Sequence, residues 1–391
     1  QALYDGKVEG PLDDSYLTAS RLRYFGGTTN HWGGNCRPLD AIDFEQRAWV
    51  PNSGWPIGPS DLAPYYDRAA PVCEIAPFPN PLGALPGLAE PPLDLAEDSH
   101  LQNTTFHRSR PTRFGPQYRE DLESSQSVRV VLHATVLGIE TTPEGSRVER
   151  LRVASEVDRE WAVVPEIVIL ATGAVENARI LLLSATPHPG PHASGVGNAN
   201  DLVGRYFAEH AVIKKVATAL CWRPEDAWRL YMDARSYGSM VGRAWGVLSP
   251  SVDTLRREEL RNCTLMIQKL KKRVEAQKKV ASVAGSLDNG RSPAASVPTS
   301  AVTVHTAFET EPHPDNRITL LRELDWLGQR KVRLRWIPTP DDLASIRRNL
   351  ELFALDLGGC IYPIESASRK SAATTTTWER HACIRAPSSE S

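Results

Sequence analysis

The densest concentration of chemically useful residues is RLRYFGGTTNHWGGNCRPLDAIDFEQR, residues 21–47, where four glycines bracket Thr28, Thr29, Asn30, His31 and Trp32. Glycine accepts positive φ angles and lets a backbone pass close to a flat ligand. Such a loop can offer N–H groups to the oxygens and nitrogens of an aromatic ring system. The same spacing is met equally well by a glycine-rich turn with a tryptophan buried beneath it. From spacing alone the two readings stand level.

A second segment, EIVILATGAVENARILLLS (166–184), joins a continuous apolar run, Ile167 to Leu170, to a small-residue turn at Ala171, Thr172 and Gly173. The run reads as a buried parallel strand. Ala178, Ile180, Leu181 and Leu182 then follow at helical spacing. Strand, turn and helix in that order form one unit of a doubly wound sheet, a fold that binds ligands at the carboxyl ends of its strands.

The elements around these motifs follow from periodicity. SGWPIGPSDLAPYYDRAAPVCEI places Ser60 as a helix N-cap ahead of Leu62, Tyr65, Tyr66, Ala69 and Val72. Proline and glycine dominate 76–94, which reads as a surface loop. VRVVLHATVLGIETT (128–142) and RVERLRVASE (147–156) read as strands paired across the PEGS turn. DTLRREELRNCTLMIQKLKKRVEAQKK reads as charged helix, and its basic end as a solvated face, not a nucleic-acid site. SVAGSLDNGRSPAASVPTS has the composition of a mobile loop. AVTVHTAFET and RKVRLRWIPT read as strands of one antiparallel sheet, and PDDLASIRRNLELFALDLGG as an amphipathic helix with a glycine stop.

Length and composition bound what these motifs can serve. At 391 residues the chain can hold two domains, and its net charge of −2 argues against nucleic acid or anionic membrane as a partner. No apolar run reaches the roughly 20 residues that span a bilayer, so a soluble, cytoplasmic protein is expected. The six cysteines, Cys36, Cys73, Cys221, Cys263, Cys360 and Cys383, form no CxxC pair and no zinc-spaced cluster. They read as free thiols of a reducing compartment, and no metal is expected.

Taken together, GGTTNHWGG, then DF, SGWPI and DLAPYY, resemble the glucose–methanol–choline (GMC) family of FAD-dependent oxidoreductases. ATGAVENARILLLS is similar to that family's second signature, and NDLVGRYFAEHAV to its step into the substrate domain. HTAFETEPHPDNRITL is similar to a later strand–turn segment. The matches run in family order from about Arg21 to Asp356. The resemblance implies that Gly26, Gly27, Thr28, Asn30, His31, Trp32 and Gly33 lie in the flavin-facing loop. It implies that the backbone of Val136 reads the adenine ring, and that Ala171, Gly173, Glu176 and Asn177 contact FAD. His31 precedes Trp32 where one branch of the family bonds histidine covalently to flavin, so a covalent link there is an expectation beside simple hydrogen bonding. Glu209 and His210 are expected to shape the domain junction.

Two parts that the resemblance requires are missing from the string. No GxGxxG dinucleotide fingerprint is present, so the first βαβ unit of the FAD-binding domain is expected to lie outside this chain. The family's catalytic histidine motif, which in this branch reads like His-His-Met-Gly-Thr-Thr-Arg-Met, is also absent. Yet SAATTTTWERHACIRAPSSES, back-translated and read from the third base of each codon, yields His-His-His-His-Met-Gly-Thr-Thr-Arg-Met. The tail is therefore expected to be an out-of-frame translation.

The expected architecture is α/β: a doubly wound FAD-binding domain (1–75 and 125–210) interleaved with an antiparallel-sheet-plus-helices substrate domain (76–124 and 211–358), with 359–391 as the out-of-frame tail. The expected activity is oxidation of the CH–OH group of an alcohol or sugar, with hydride passing to FAD and on to an electron acceptor that no residue specifies. Turnover by this chain alone is not expected, because the base lies in the lost frame. The alternative is a non-catalytic remnant or interaction surface without flavin. A hydrolase or nicotinamide dehydrogenase lacks its G-x-S-x-G elbow or its fingerprint here.

Overall fold

The computed structural model describes residues 2–78, 92–110, 112–157, 159–186, 190, 192–210, 212–221, 225–232, 235–237, 242–269, 300–357 and 360–363. Helices and sheets are mixed along the chain. The strands are β1 (Gly6–Glu9), β2 (Asn35–Cys36), β3 (Leu101–Arg108), β4 (Thr135–Thr141), β5 (Val148–Glu156), β6 (Arg159–Val163) and β7 (Val212–Cys221). They continue as β8 (Arg235–Tyr237), β9 (Gly242–Pro250), β10 (Cys263–Lys269), β11 (Ser300–Phe308), β12 (Arg317–Leu324), β13 (Arg330–Arg335) and β14 (Cys360–Pro363). The chain divides into two compact units, and the boundaries differ from those expected at 75, 125 and 210. One unit comprises Gln1–Trp32, Arg113–Ala208 and Pro312–Ile337; the other comprises Gly33–Thr112, Glu209–Glu311 and Pro338–Ser391. Residues 33–75 thus belong with the large sheet, and 312–337 with the glycine loop.

The first unit holds two three-stranded sheets, in the orders β1-β13-β12 and β4-β5-β6. β4 and β5 pair antiparallel as the alternation implied, with Thr141 opposite Val148 across a turn where Gly145 takes φ 71°. The core of this unit is Leu17, Val175, Ala178, Ile318, Val332 and Leu334, with Val8, Tyr16 and Phe207 packed against them. Helix 174–183 supplies the middle of that core and lies across β4 and β12.

The second unit is built on an eight-stranded sheet, ordered β14-β7-β11-β10-β9-β3-β2 with β8 on β9, and every pairing in it is antiparallel. Alternation puts Ala217, Ala219, Leu248, Leu265, Ile267, Val302 and Val304 on one face, and all are fully buried. Helix 340–357 covers that face with Ile346, Leu350, Phe353 and Leu357. Each large apolar side chain buried this way stabilises the unit by about 1.5–3 kcal/mol.

Four sequence expectations are corrected. Ile167 to Leu170 is not a buried parallel strand: Ile167 is 81% and Ile169 83% exposed, and no strand pairs with them among the described residues. Val128 to Leu132 likewise joins no strand pairing among the described residues and is about half exposed. The only parallel pair among the described residues is β1 with β13, so a doubly wound sheet is not present there. An apolar run becomes a buried strand only when neighbours bond its edges and cover its faces. Second, Cys263–Lys269 is strand, not helix, because its alternation meets β11 in register from Cys263↔Phe308 to Lys269↔Val302. Third, AVTVHTAFET and RKVRLRWIPT fall in different sheets. Fourth, helix 59–72 is capped at Gly58, whose N–H bonds the Asp61 carboxylate at 2.7 Å, and not at Ser60. Pro59 sets the first helical φ one residue earlier.

Residues 79–91 of the expected loop, 270–279 of the basic run, 282–299 of the low-complexity segment and the tail from 364 lie outside the described residues. No helix among the described residues is long and apolar enough to cross a membrane.

Candidate functional site

The glycine-rich loop folds as a single helical turn, Gly27–Asn30, entered through two left-handed residues: Gly26 at φ 85° and Gly27 at φ 52°. The reason for the first glycine is internal. A Cβ on Gly26 would lie 2.6 Å from both Cα and N of Gly115, and one on Gly115 would lie 2.8 Å from the carbonyl oxygen of Phe25. Asn30 fastens the two backbones together. Its Nδ2 donates to Phe25 O at 2.8 Å, and its Oδ1 accepts from Gly115 N at 2.9 Å. Gly26 and Asn30 therefore hold the loop against the backbone of Gly115. Gly115 was not singled out from sequence, since nothing within its own neighbourhood marks a contact 89 residues from Gly26.

The rest of the loop faces outward. Thr28, Thr29, His31 and Gly33 are exposed, and a Cβ on Gly27 would meet nothing nearer than 3.6 Å. Thr28 Oγ1 accepts from Leu22 N at 3.2 Å and its carbonyl accepts from His31 N at 3.1 Å, which holds His31 at the end of the turn. Trp32 is half-buried, edge-on to Phe114 with ring centroids 6.0 Å apart, and Arg113 Nη1 donates to its carbonyl at 3.3 Å. It is neither the deeply buried floor nor a free platform. Gly33 opens the second unit.

The second motif gathers on helix 174–183. Gly173 caps it at φ 86° and ψ 156°, a conformation open to glycine almost alone. No atom lies within 4 Å of where its Cβ would sit. Ala171, Thr172 and Gly173 are all exposed. Asn177 braces this turn from within the helix: its Oδ1 accepts from Thr172 N at 3.0 Å and Thr172 Oγ1 at 2.6 Å, and its Nδ2 donates to Leu170 O at 3.2 Å. Asn177 holds the turn's shape, and the turn's backbone remains accessible.

Glu176 faces three arginines. It accepts from Arg21, lies 3.8 Å from Arg23 Nη1 and 3.7 Å from Arg179 Nη1. Burial pulls the Arg21 pKa down while the adjacent Glu176 charge opposes that pull. Arg179 is almost fully enclosed, with Nη2 on Asp325 Oδ2 at 2.8 Å, Nη1 on Leu3 O at 2.6 Å and Nε on Arg330 O at 3.0 Å. Arg21 and Arg23 immediately precede the glycine loop, so the Glu176 cluster ties that loop's entry to the first turn of the helix. Neither arginine was read as functional from sequence; partners 155 residues away leave no local pattern. Glu176 is thus an anchor inside the unit.

Val136 is half-buried on β4 opposite Val153. That strand is bound to the same helix through Ser184 Oγ, which accepts from Ile139 N at 2.8 Å. Helix 174–183 is therefore the common support for the glycine loop, the 171–173 turn and the strand of Val136. In the second unit Glu209 bonds His210 Nδ1 at 2.7 Å, which holds the imidazole pKa above its ordinary value. Among the described residues no group of three or more His, Cys, Asp or Glu could hold a metal ion.

No family model matches the chain, and comparison with curated proteins yields no match.

Proposed function

We propose that the chain is part of an FAD-dependent oxidoreductase of the GMC type, acting on the CH–OH group of an alcohol or sugar. The observation that carries this reading is the Ala171–Gly173 turn. It has a glycine-only conformation with open space above it and lies at the start of a helix, where backbone N–H groups suit an anionic ligand. The exposed side of the glycine loop belongs to the same unit and is tied to the same helix by Arg21 and Glu176.

The residues fit the cofactor in part. Gly27, Thr28, His31 and the 171–173 turn would hold FAD, with Val136 serving through its backbone. Gly26, Asn30, Glu176 and Asn177 would act by positioning those groups, and Trp32 by seating the loop on Phe114. FAD, when bound, supplies the acceptor for the substrate's hydride. The expected base motif is not in the reading frame, so binding without turnover is the expected behaviour of this chain.

A second reading, a remnant without flavin, draws on the exposed apolar segments. Val164, Ile167 and Ile169 stand more than four-fifths exposed, and a parallel FAD-binding sheet needs such segments covered. The test is an absorption spectrum of the purified chain with added FAD, before and after acid precipitation. A flavin band retained through gel filtration supports binding; if it also stays in the acid pellet and is lost in His31→Ala, the bond is covalent at His31. A colourless chain that leaves added FAD unbound refutes the first reading and supports the second.

A further inference from the structure

Away from the flavin motifs, the second unit brings together two cysteines that are 37 positions apart. Cys36 lies on β2, paired antiparallel with β3 so that it stands opposite His107. Cys73 ends helix 59–72, its N–H bonded to Ala69 O at 3.0 Å, and Glu74 then turns the chain at φ 51°. Two side chains from the β3 side of the ribbon fasten this turn in place. His107 Nδ1 lies 3.2 Å from Ala76 O, and Thr112 Oγ1 donates to the Glu74 carboxylate. Ser109 closes the arrangement, its Oγ 2.9 Å from Thr112 Oγ1 and its N–H on Gly34 O at 2.7 Å. This frame sets the end of helix 59–72 beside the strand of Cys36, and Cys73 is the neighbouring thiol that acts on Cys36.

We infer that Cys36 and Cys73 form a dithiol site that closes to an intramolecular disulfide on reaction with a small-molecule disulfide. The chemistry needs one sulfur to attack the reagent and the other to resolve the mixed disulfide. The Cys36 thiol is pushed up to about 12, chiefly by burial and further by the neighbouring Cys73 thiol. The balance is the same in either order. With Cys73 as the first nucleophile, its sulfur attacks one reagent sulfur, the reagent S–S bond breaks, and one small thiol leaves. Cys36 then attacks the Cys73 sulfur and expels the second small thiol. Two protein S–H bonds and one reagent S–S bond become one protein S–S bond and two small thiols, with two electrons and two protons passing to the reagent.

Both cysteines are half-buried, so a small reagent can reach them, whereas Cys221 and Cys263 are enclosed in the core of the large sheet. The bond would pin the strand that follows the glycine loop to the end of helix 59–72. This inference does not depend on flavin binding.

The test uses the full chain, reduced and then incubated with oxidised glutathione, followed by intact-mass measurement and peptide mapping. The expected result is loss of two hydrogen masses and two titratable thiols, with peptides carrying Cys36 and Cys73 linked. Phenylarsine oxide, a probe for paired thiols, should bind the reduced chain one to one, and Cys36→Ser or Cys73→Ser should abolish that binding. Stable glutathione adducts on either cysteine without a cross-link, or arsenical binding unchanged in both serine variants, would overturn the inference. Because the arsenical is read on the folded wild-type chain as well, a variant that fails to fold does not decide the outcome.

Discussion

Substituting Gly115 by alanine separates packing from backbone conformation at the glycine loop. Gly115 does not have a positive φ, so alanine can adopt its backbone without strain. What the new methyl meets is fixed: Phe25 O at 2.8 Å and the Asn30 amide at 2.9 and 3.0 Å. The carbonyl is backbone, and the amide is held by two hydrogen bonds, so neither can swing aside cheaply. Overpacking of this kind costs about 1–3 kcal/mol. Gly26→Ala meets Gly115 backbone at 2.6 Å and adds the left-handed conformation, about 1–2 kcal/mol more. Its expected total is about 2–5 kcal/mol. Gly27→Ala is the control, with the same hand of φ and nothing within 3.4 Å; only the conformational cost should remain. Urea unfolding measures each as a shift in midpoint at unchanged slope. The double variant Gly26→Ala/Gly115→Ala should depart from additivity by at least about 0.5 kcal/mol, because one retreat of the short helix Phe114–Gln117, which carries Gly115, relieves both clashes. A Gly115→Ala cost under about 0.5 kcal/mol, or Gly27→Ala as damaging as Gly26→Ala, would refute the reasoning.

Asp325→Asn should cost about 3 kcal/mol in the same assay, since it removes the carboxylate bonded to the Arg179 guanidinium at 2.8 Å, with side chains 2% and 4% exposed, and leaves only Glu176, 3.7 Å away, as countercharge; a loss below about 1 kcal/mol would contradict it. If Cys36 and Cys73 close a loop of about 38 residues, the oxidised form should gain up to about 4 kcal/mol over the reduced form, read as a higher urea midpoint that reductant reverses. Burial holds His107 and His305 below the ordinary imidazole range, with Lys214 and Lys215 adding to the effect at His305. A depressed histidine favours the neutral form in the fold, so its stabilisation is present above about pH 6.5 and is lost as pH falls through the folded value. His210, raised by Glu209, works in the opposite sense, but its side chain is exposed and solvent weakens it. The urea midpoint should therefore fall between pH 7.5 and 5, less steeply in His305→Gln; a flat profile would remove both histidines from the account. Gly173→Ala should carry about 1–3 kcal/mol of strain and weaken retention of FAD through gel filtration; unchanged retention would contradict the proposed role of the 171–173 turn.

Local pattern alone was enough for several features of this protein. Alternation marked β4, β5, β11 and β13 as strands, and 3.6-residue spacing marked helices 174–183 and 340–357, because side-chain direction follows directly from backbone type. The glycine loop and the 171–177 signature were visible as motifs, since positive φ restricts residue choice at the position itself. Tertiary structure alone decided what those residues do. Whether Gly26 serves a ligand or a neighbouring backbone depends on Gly115; whether Glu176 meets a cofactor or a cluster of arginines depends on Arg21 and Arg179. Ile167 to Leu170 has the composition of a buried strand, yet composition cannot supply the neighbours that bury it. The TLMIQK segment sits within helix-like charge patterning, and only pairing with β11 makes it a strand. Single residues carry their own conformational limits, but burial, pairing and ion partners belong to two positions at once, and the distance between those positions along the chain is set by the fold.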